Sequence, residues 1–303
     1  MPSRLAAVAI VLLWLAVTGY LGYTRVLPWL TASDAPAVTV SATDEAGRQK
    51  VRWVVLFKSG KGGFEKAGTL TTEMTADDTD TFTFVAKYTD LRFEIGPFPV
   101  RVPTATTEVT TDRAGQLRRQ SVSGTAVFKG FGAEISGSAA VISSVVAGEL
   151  RGRVEGRIPD LNLTLEPMDL PSVPVPSGQV LNPLLPVNRL SGVEPGKRWT
   201  IRQVDPLGDS LKQLLQALAT RHGFGAALPG GGDRGEELLA EVLADAESLP
   251  ARRNEDAIVC RVIEYRGKDN KVAARTWVSA ADGRVMRQEA TADGNTLRLD
   301  RDE

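Results

Sequence analysis

Two residue types that often carry chemistry are nearly absent from this chain. Among its 303 residues there is one histidine, His222, and one cysteine, Cys260. A single histidine excludes a multi-histidine metal site and leaves His222 as the only place for a histidine-assisted nucleophile. A single cysteine excludes an internal disulfide, so burial must stabilise the fold even in an oxidising compartment. We therefore predict a protein that is not an enzyme and that uses no metal or other cofactor.

The chain also lacks an excess of charge of either sign. Its 36 lysines and arginines nearly balance 37 aspartates and glutamates. Because the two signs are interspersed, no extended basic surface attracts nucleic acid, and we predict no nucleic-acid partner. Arg151, Arg153 and Arg157 can face anionic lipid headgroups, or they can lie on a solvated sheet face neutralised by Glu149 and Glu155.

The chain does contain one long apolar run near its beginning. Residues 5–23 carry no charge, and about 20 residues of helix suffice to cross a bilayer. The competing interpretation is a cleaved signal peptide, whose apolar region is shorter and ends at a small-x-small site. Ala16-Val17-Thr18 is a poor version of such a site, and the apolar character continues beyond it. This pattern favours an uncleaved signal-anchor.

The flanks of this run fit a membrane interface. Tyr20, Tyr23 and Trp29 have rings with a polar edge, which collect in the headgroup layer, and Arg25 follows the run. The short basic N-terminus should stay in the cytoplasm. We predict a single-pass protein of the inner membrane whose body lies on the extracytoplasmic, periplasmic side.

The body divides into two β-rich regions. After an anchor over residues 1–30, apolar residues recur at every second position, which predicts an antiparallel β-rich domain over 37–166. Clustered prolines predict an extended connector over 167–195. An α+β domain over 196–303 then combines two helices with a four-stranded antiparallel sheet. The predicted helices are 209–221 and 234–249, and the predicted strands are 257–265, 271–279, 284–291 and 296–299.

The predicted fold class is therefore α+β. We expect a mostly antiparallel β-sheet, in the form of a meander or half-barrel, with two helices packed on it and one N-terminal transmembrane helix.

The last hairpins have a recognisable cadence. A strand over 260–265 leads into 274–279, then 282–289, then 297–299. This cadence resembles the LolA/LolB-like lipoprotein-carrier fold and related exported domains of unknown function. In that family a half-barrel wraps around helices and offers an apolar cavity to acyl chains, so the resemblance over 196–303 implies binding of a lipid or lipoprotein. The predicted anchor and the absence of a lipobox cysteine depart from the family and favour a stationary role over a shuttle.

Two functions stay open. The first is a membrane-anchored extracytoplasmic binding protein, non-enzymatic, for a lipid, lipoprotein or other apolar ligand. Trp199, Trp277 and Met286 are the candidates for its lining, because they are large or adaptable apolar groups near strand starts. The alternative is a structural or protein-interaction module of the cell envelope that docks a partner protein and takes no small ligand.

Overall fold

The structure is a computed structural model that describes residues 46–60, 62–77, 80–95, 98–130, 133–170, 172–175, 187–202, 237–250, 257–292 and 294–302. The predicted anchor, with Tyr20, Tyr23, Arg25 and Trp29, lies outside these residues, as do His222 and the predicted helix over 209–221. Within the described ranges, no helix has the length and apolarity needed to cross a bilayer.

Antiparallel strands make up nearly all of the described chain. One short 3-10 helix, Pro159–Leu161, follows the seventh strand. The strands are β1 (Val51–Lys58), β2 (Glu65–Ala76), β3 (Thr81–Ile95), β4 (Phe98–Asp112), β5 (Leu117–Gly130), β6 (Ala133–Val146), β7 (Glu149–Ile158), β8 (Leu163–Asp169), β9 (Val173–Pro174), β10 (Arg198–Arg202), β11 (Glu237–Val242), β12 (Glu247–Leu249), β13 (Ile258–Arg266), β14 (Val272–Ser279), β15 (Val285–Ala292) and β16 (Asn295–Asp302).

The prediction of an α+β fold is wrong for the part of the chain that the structure describes, which contains no α-helix. Residues 237–249 of the second predicted helix form β11 and β12 instead, and β11 pairs with β10 and β13. Leu238, Leu239 and Ala240 are all buried, so β11 is covered on both faces. A short apolar run buried on both faces has no period of two and cannot be told from a helix by periodicity.

The strands predicted from alternation are present. β13 to β16 lie at the four predicted positions and pair in sequence order as antiparallel neighbours. The predicted connector begins later than expected, because β8 runs to Asp169 and Met168 pairs with Val154 of β7. Pro167 falls where the β7–β8 register shifts, which is a place that tolerates a residue without an amide hydrogen.

One sheet contains both β-rich regions. Its order is β10-β11-β13-β14-β15-β16-β1-β2-β3-β4-β5-β6-β7-β8, with β12 and β9 paired to β13 and β7. The last strand, β16, lies between β15 and the first strand, β1, and pairs with β1 from Arg52↔Asp302 to Lys58↔Thr296. This pairing continues the N-terminal meander directly into the C-terminal hairpins.

One face of the sheet, called here the inner face, carries the main core. Trp53 and Leu70 at its centre are 0% exposed, and Val187 and Leu190 pack on it from the segment before β10. Residues of nine strands contribute: Trp53, Val55, Ala67, Leu70, Phe84, Ala86, Trp199, Ile201, Leu238, Ala240, Val242, Ile263, Tyr265, Ala274, Val278, Val285 and Leu299.

A buried polar chain fixes the segment before β10 on this core. Trp53 Nε1 donates to Thr72 Oγ1 at 3.0 Å, and Thr72 Oγ1 donates to Asn188 Oδ1 at 2.7 Å. Arg301 Nη1 donates to the Asn188 carbonyl oxygen at 3.0 Å, and the Val285 amide donates to the same oxygen at 3.0 Å. Buried polar groups are costly unless they are paired, so these bonds allow one position for Asn188.

The opposite, outer face is held in register by charge. Across β10 and β11, Arg198 Nη2 lies 2.6 Å from Glu241 Oε1. In β13, Glu264 is buried and pairs with both Arg266 and Arg275. A slip by one residue would place these charges on the inner face, so the ion pairs and the apolar core specify the same register.

We expect Thr72→Val to lower the free energy of unfolding by about 1–3 kcal/mol, because it leaves Trp53 Nε1 and Asn188 Oδ1 buried without their partner. Urea denaturation of the full chain, followed by tryptophan fluorescence, measures this change. Thr71→Val is the matched control, since Thr71 lies on the other face of β2 and should change stability by no more than about 0.5 kcal/mol. Equal losses in the two variants would contradict a role for the buried chain.

Candidate functional site

The sheet splits between β2 and β3. The ladder of these two strands runs from Ala76↔Phe82 to Thr69↔Thr89 and ends there. Beyond that pair, β2 continues to Glu65 and pairs with β1, whereas β3 continues to Ile95 and pairs with β4. The β1–β2 hairpin and the β3–β4 hairpin therefore diverge from a common point.

Irregular residues of three neighbouring strands meet where the split begins. Asp90 of β3 has a left-handed backbone, with φ of 52°, and it stands opposite Pro103 without pairing to it. Gly68 of β2 packs so closely on this bend that an added Cβ would lie 2.8 Å from Leu91 Cδ2 and 2.9 Å from the Thr89 carbonyl oxygen. Only glycine permits that approach, so Gly68 closes the narrow end of the split.

A half-open cavity of about 740 Å³ lies between the two hairpins, and we call it the cleft. Its lining combines apolar side chains with a few charged ones. The lining residues are Phe57, Ser59, Gly62, Gly63, Glu65, Lys66 and Ala67 on the β1–β2 side, and Arg92, Phe93, Pro99, Val100, Arg101, Val127 and Glu134 on the side of β3 to β6.

The charged groups of the cleft balance one another. Asp90 accepts a hydrogen bond from Arg101 Nε at 2.7 Å and another from Arg92 Nη2 at 2.8 Å. These bonds, that of Arg101 first, lower the pKa of the Asp90 carboxyl, so the ion pairs persist at neutral pH and are lost only as the pH falls through that lowered pKa. Asp90, Glu65 and Glu134 match Lys66, Arg92 and Arg101 in number, so the cleft has no excess charge that would select an anion.

The residues predicted to line a ligand site lie elsewhere. Trp199 is 1% exposed in the main core. Trp277 and Met286 lie together in a second buried cluster, where Trp277 Nε1 donates to Glu247 Oε2 at 2.8 Å. None of the three is among the lining residues of the cleft. The assignment of these residues to ligand binding stays a prediction.

Sequence reasoning did not identify the cleft, although one signal marks it. Apart from Val85, the apolar residues of β3 occupy even positions through Tyr88 and odd positions from Leu91. Such a change of phase inside a strand indicates a bulge or bend, and bends often lie beside binding sites. The change of phase locates the bend in β3, but it does not show that the β1–β2 hairpin turns away from β3 there.

The placement of possible metal ligands and the burial of the one thiol bear on chemistry among the described residues. No three histidine, cysteine, aspartate or glutamate side chains there are placed to hold a metal ion. Burial raises the pKa of Cys260 to about 11, so its thiol is protonated at neutral pH and is a poor nucleophile.

Two arginines of β7 make exposed ion pairs. Arg151 Nη2 lies 3.1 Å from Glu149 Oε2, one of the two partners expected on a neutralised face, and Arg153 Nε lies 3.2 Å from Asp169 Oδ1 of β8. Exposed pairs of this kind contribute little stability.

Comparison with known proteins gives few matches. No protein-family model and no curated protein matches the sequence. Among solved structures, a β-barrel-like protein of a domain of unknown function from Brucella abortus is similar, with 10% identity, a TM-score of 0.38, and coverage of 84% of this chain and 95% of that chain. Like this chain, that protein is β-rich, and nothing in the similarity is specific to LolA/LolB carriers.

We expect Gly68→Ala to destabilise the split, because its Cβ would overlap Leu91 and the backbone of β3. Overpacking of this kind costs about 1–3 kcal/mol, which urea denaturation of the full chain would detect. Gly63→Ala is the matched control, since an added Cβ at Gly63 meets no atom within 4 Å. A Gly68→Ala protein as stable as the control would contradict the close approach of β2 and β3.

Proposed function

We propose that this chain is a non-enzymatic binding protein that takes up its ligand in the cleft. The ligand class that we propose is a lipid, lipoprotein or other apolar molecule. We also propose that residues 5–23 anchor the protein in the inner membrane with its body outside the cytoplasm. The observation that carries the proposal is the opening of one continuous sheet into a cavity between two hairpins.

The size and lining of the cleft support ligand binding. Sites for small ligands have volumes of about 300–1,000 Å³ and are mostly apolar with a few placed polar groups. The cleft falls in that range, and Phe57, Phe93, Val100 and Val127 supply apolar surface. This lining also carries charged side chains, so it suits an elongated molecule with apolar and polar parts better than a small ion.

The inner face is a poorer candidate for the binding site. Its centre is filled by large side chains such as Trp53, Leu70 and Trp199, which are at most 1% exposed. Displacing such packed side chains would cost several kcal/mol, on the order of the cost of emptying a core position. The LolA/LolB resemblance implies an apolar ligand in the half-barrel, whereas the geometry of this chain favours the cleft between β2 and β3.

The alternative, a protein-interaction module, is favoured by a different feature of the same place. Where the ladder ends, β2 and β3 each present a strand edge to the cleft. Exposed strand edges are templates for pairing with another chain. The two functions therefore predict occupants of different chemistry at one site.

A bulky residue in the cleft should displace the ligand. We expect Gly63→Trp to reduce at least tenfold the lipid or other apolar molecule that mass spectrometry finds with the full chain purified from bacterial membranes, because Gly63 lines the cleft and has open space around it. Val259→Trp is the control, since Val259 is 51% exposed on β13 and does not line the cleft. If the Gly63→Trp protein retains as much of the molecule as the unchanged protein, the binding site lies elsewhere. If no sample retains a lipid or other apolar molecule, the proposal is wrong.

The location also has a direct test. We expect alkaline phosphatase fused after residue 303 to be active in bacterial cells, because the enzyme folds only outside the cytoplasm, where its disulfides form. Deleting residues 5–23 should abolish that activity and release the fusion from the membrane fraction. An active cytoplasmic reporter at the same position would contradict the proposed orientation.

A further inference from the structure

We propose that the occupant of the cleft is an extended polypeptide segment that pairs with the free edge of β3. This inference rests on the proposed function in one respect, because it takes the cleft as the binding site, and at that site it selects a protein ligand over a lipid. The juxtaposition that supports it is a strand edge, open among the described residues, beside a cavity whose lining is partly apolar and whose charged groups are balanced.

The β3 edge offers main-chain groups at strand spacing. Five residues, 91–95, pair with β4 on one side, and within the described chain no strand pairs with their other side. Across the cleft, β2 presents the edge of residues 65–68 in the same way. A strand inserted here would continue the sheet, antiparallel to one of these edges and parallel to the other.

β6 also extends beyond the end of a ladder, the one that it forms with β7. Unlike the edge of β3, the edge of β6 is covered there. The β6–β7 ladder ends at Ser138↔Arg157, and β6 continues beyond it to Ala133. There the Asp160 carboxylate, from the 3-10 helix, accepts the Ser136 amide at 2.6 Å and the Ser136 hydroxyl at 2.8 Å. Natural sheets protect their edges by such devices. Among the described contacts, no carboxylate accepts a hydrogen bond from a backbone amide of 91–93.

The shape of the cleft limits the segment that fits. Because Gly68 and Leu91 touch, the narrow end is closed, and a segment entering from the open end stops there. Five paired residues span about 17 Å at about 3.4 Å per residue. A segment of about this length that stops at a closed end fits the terminus of a polypeptide better than its middle.

The lining predicts which side chains the segment carries. Successive residues of a strand point to opposite faces, so one set would contact Phe93 and Val100 while the other faces the rim. Asp90 already engages Arg92 and Arg101, so a carboxylate on the segment would have to displace it. We therefore expect an uncharged segment with apolar residues at alternate positions.

The test uses the full chain in lipid nanodiscs and a fluorescent peptide of alternating threonine and valine, six residues long and capped at both ends. Two matched peptides carry N-methyl groups on all valines or on all threonines, which removes amide donors and leaves the side chains unchanged. We expect the parent peptide to bind, and at least one methylated peptide to bind at least tenfold more weakly, since each lost amide hydrogen bond weakens binding severalfold. Gly63→Trp should weaken the parent peptide at least tenfold, whereas Val259→Trp should leave it unchanged.

Hydrogen exchange supplies a second readout, because strand addition protects those amides of 91–93 and 65–68 that point into the cleft, and an acyl chain forms no hydrogen bond with them. Equal binding of all three peptides, or binding without protection of these amides, would overturn the inference. A third outcome is that a fluorescent phospholipid binds, that Gly63→Trp weakens its binding, and that no peptide binds. This outcome would overturn the inference and leave the proposed function standing. If neither probe binds, both fail.

Discussion

The constraint on which this fold depends is that every backbone amide and carbonyl of a strand must find a partner or water. A chain whose described part is almost entirely strand meets it by adding hairpins side by side, and β16 joins the two halves by pairing with β1 over seven residue pairs. That seam also assembles the core, because it places Leu299 of β16 beside Val55 and Trp53 of β1. The ladder between β1 and β16 thus sets the register of these strands, brings core residues together and joins the two β-rich regions in one sheet.

At the cleft, backbone groups of β2 and β3 do not pair with each other as they do along the rest of their ladder. Gly68 and the bend at Asp90 hold β2 and β3 together at one point, and the hairpins leave it in different directions. Ladder groups beyond that point face a cavity instead of a strand. The opening between two adjacent strands places unpaired strand edges inside a cavity, whereas the core is filled, which is why we place binding in the cleft.

The sequence was informative where one face of a strand is buried and the other is wet. Alternation located β13 to β16 and most of the N-terminal meander, because a period of two survives in such strands. It failed for 237–249, where Leu238, Leu239 and Ala240 are buried together and no period remains. Trp199, Trp277 and Met286 were chosen for size, and size does not distinguish a core residue from a ligand contact. The cleft depends on a missing pairing between strands, which no local pattern encodes, although the change of phase after Tyr88 marks its position.

Backbone conformation gives an independent reason to regard the split as functional. Five described residues other than glycine have positive φ, and four of them, Asp80, Ala147, Asn162 and Asn270, lie in turns between strands. Asp90 is the exception, since it lies inside β3. A left-handed residue costs free energy and persists only where its surroundings determine it, and here Arg92 and Arg101 hold the Asp90 side chain from β3 and β4. Asp90 directly follows Thr89, the last residue of β3 that pairs with β2. The left-handed conformation at Asp90 is therefore a local cost at the point where the cleft opens, and it supports the proposed binding role.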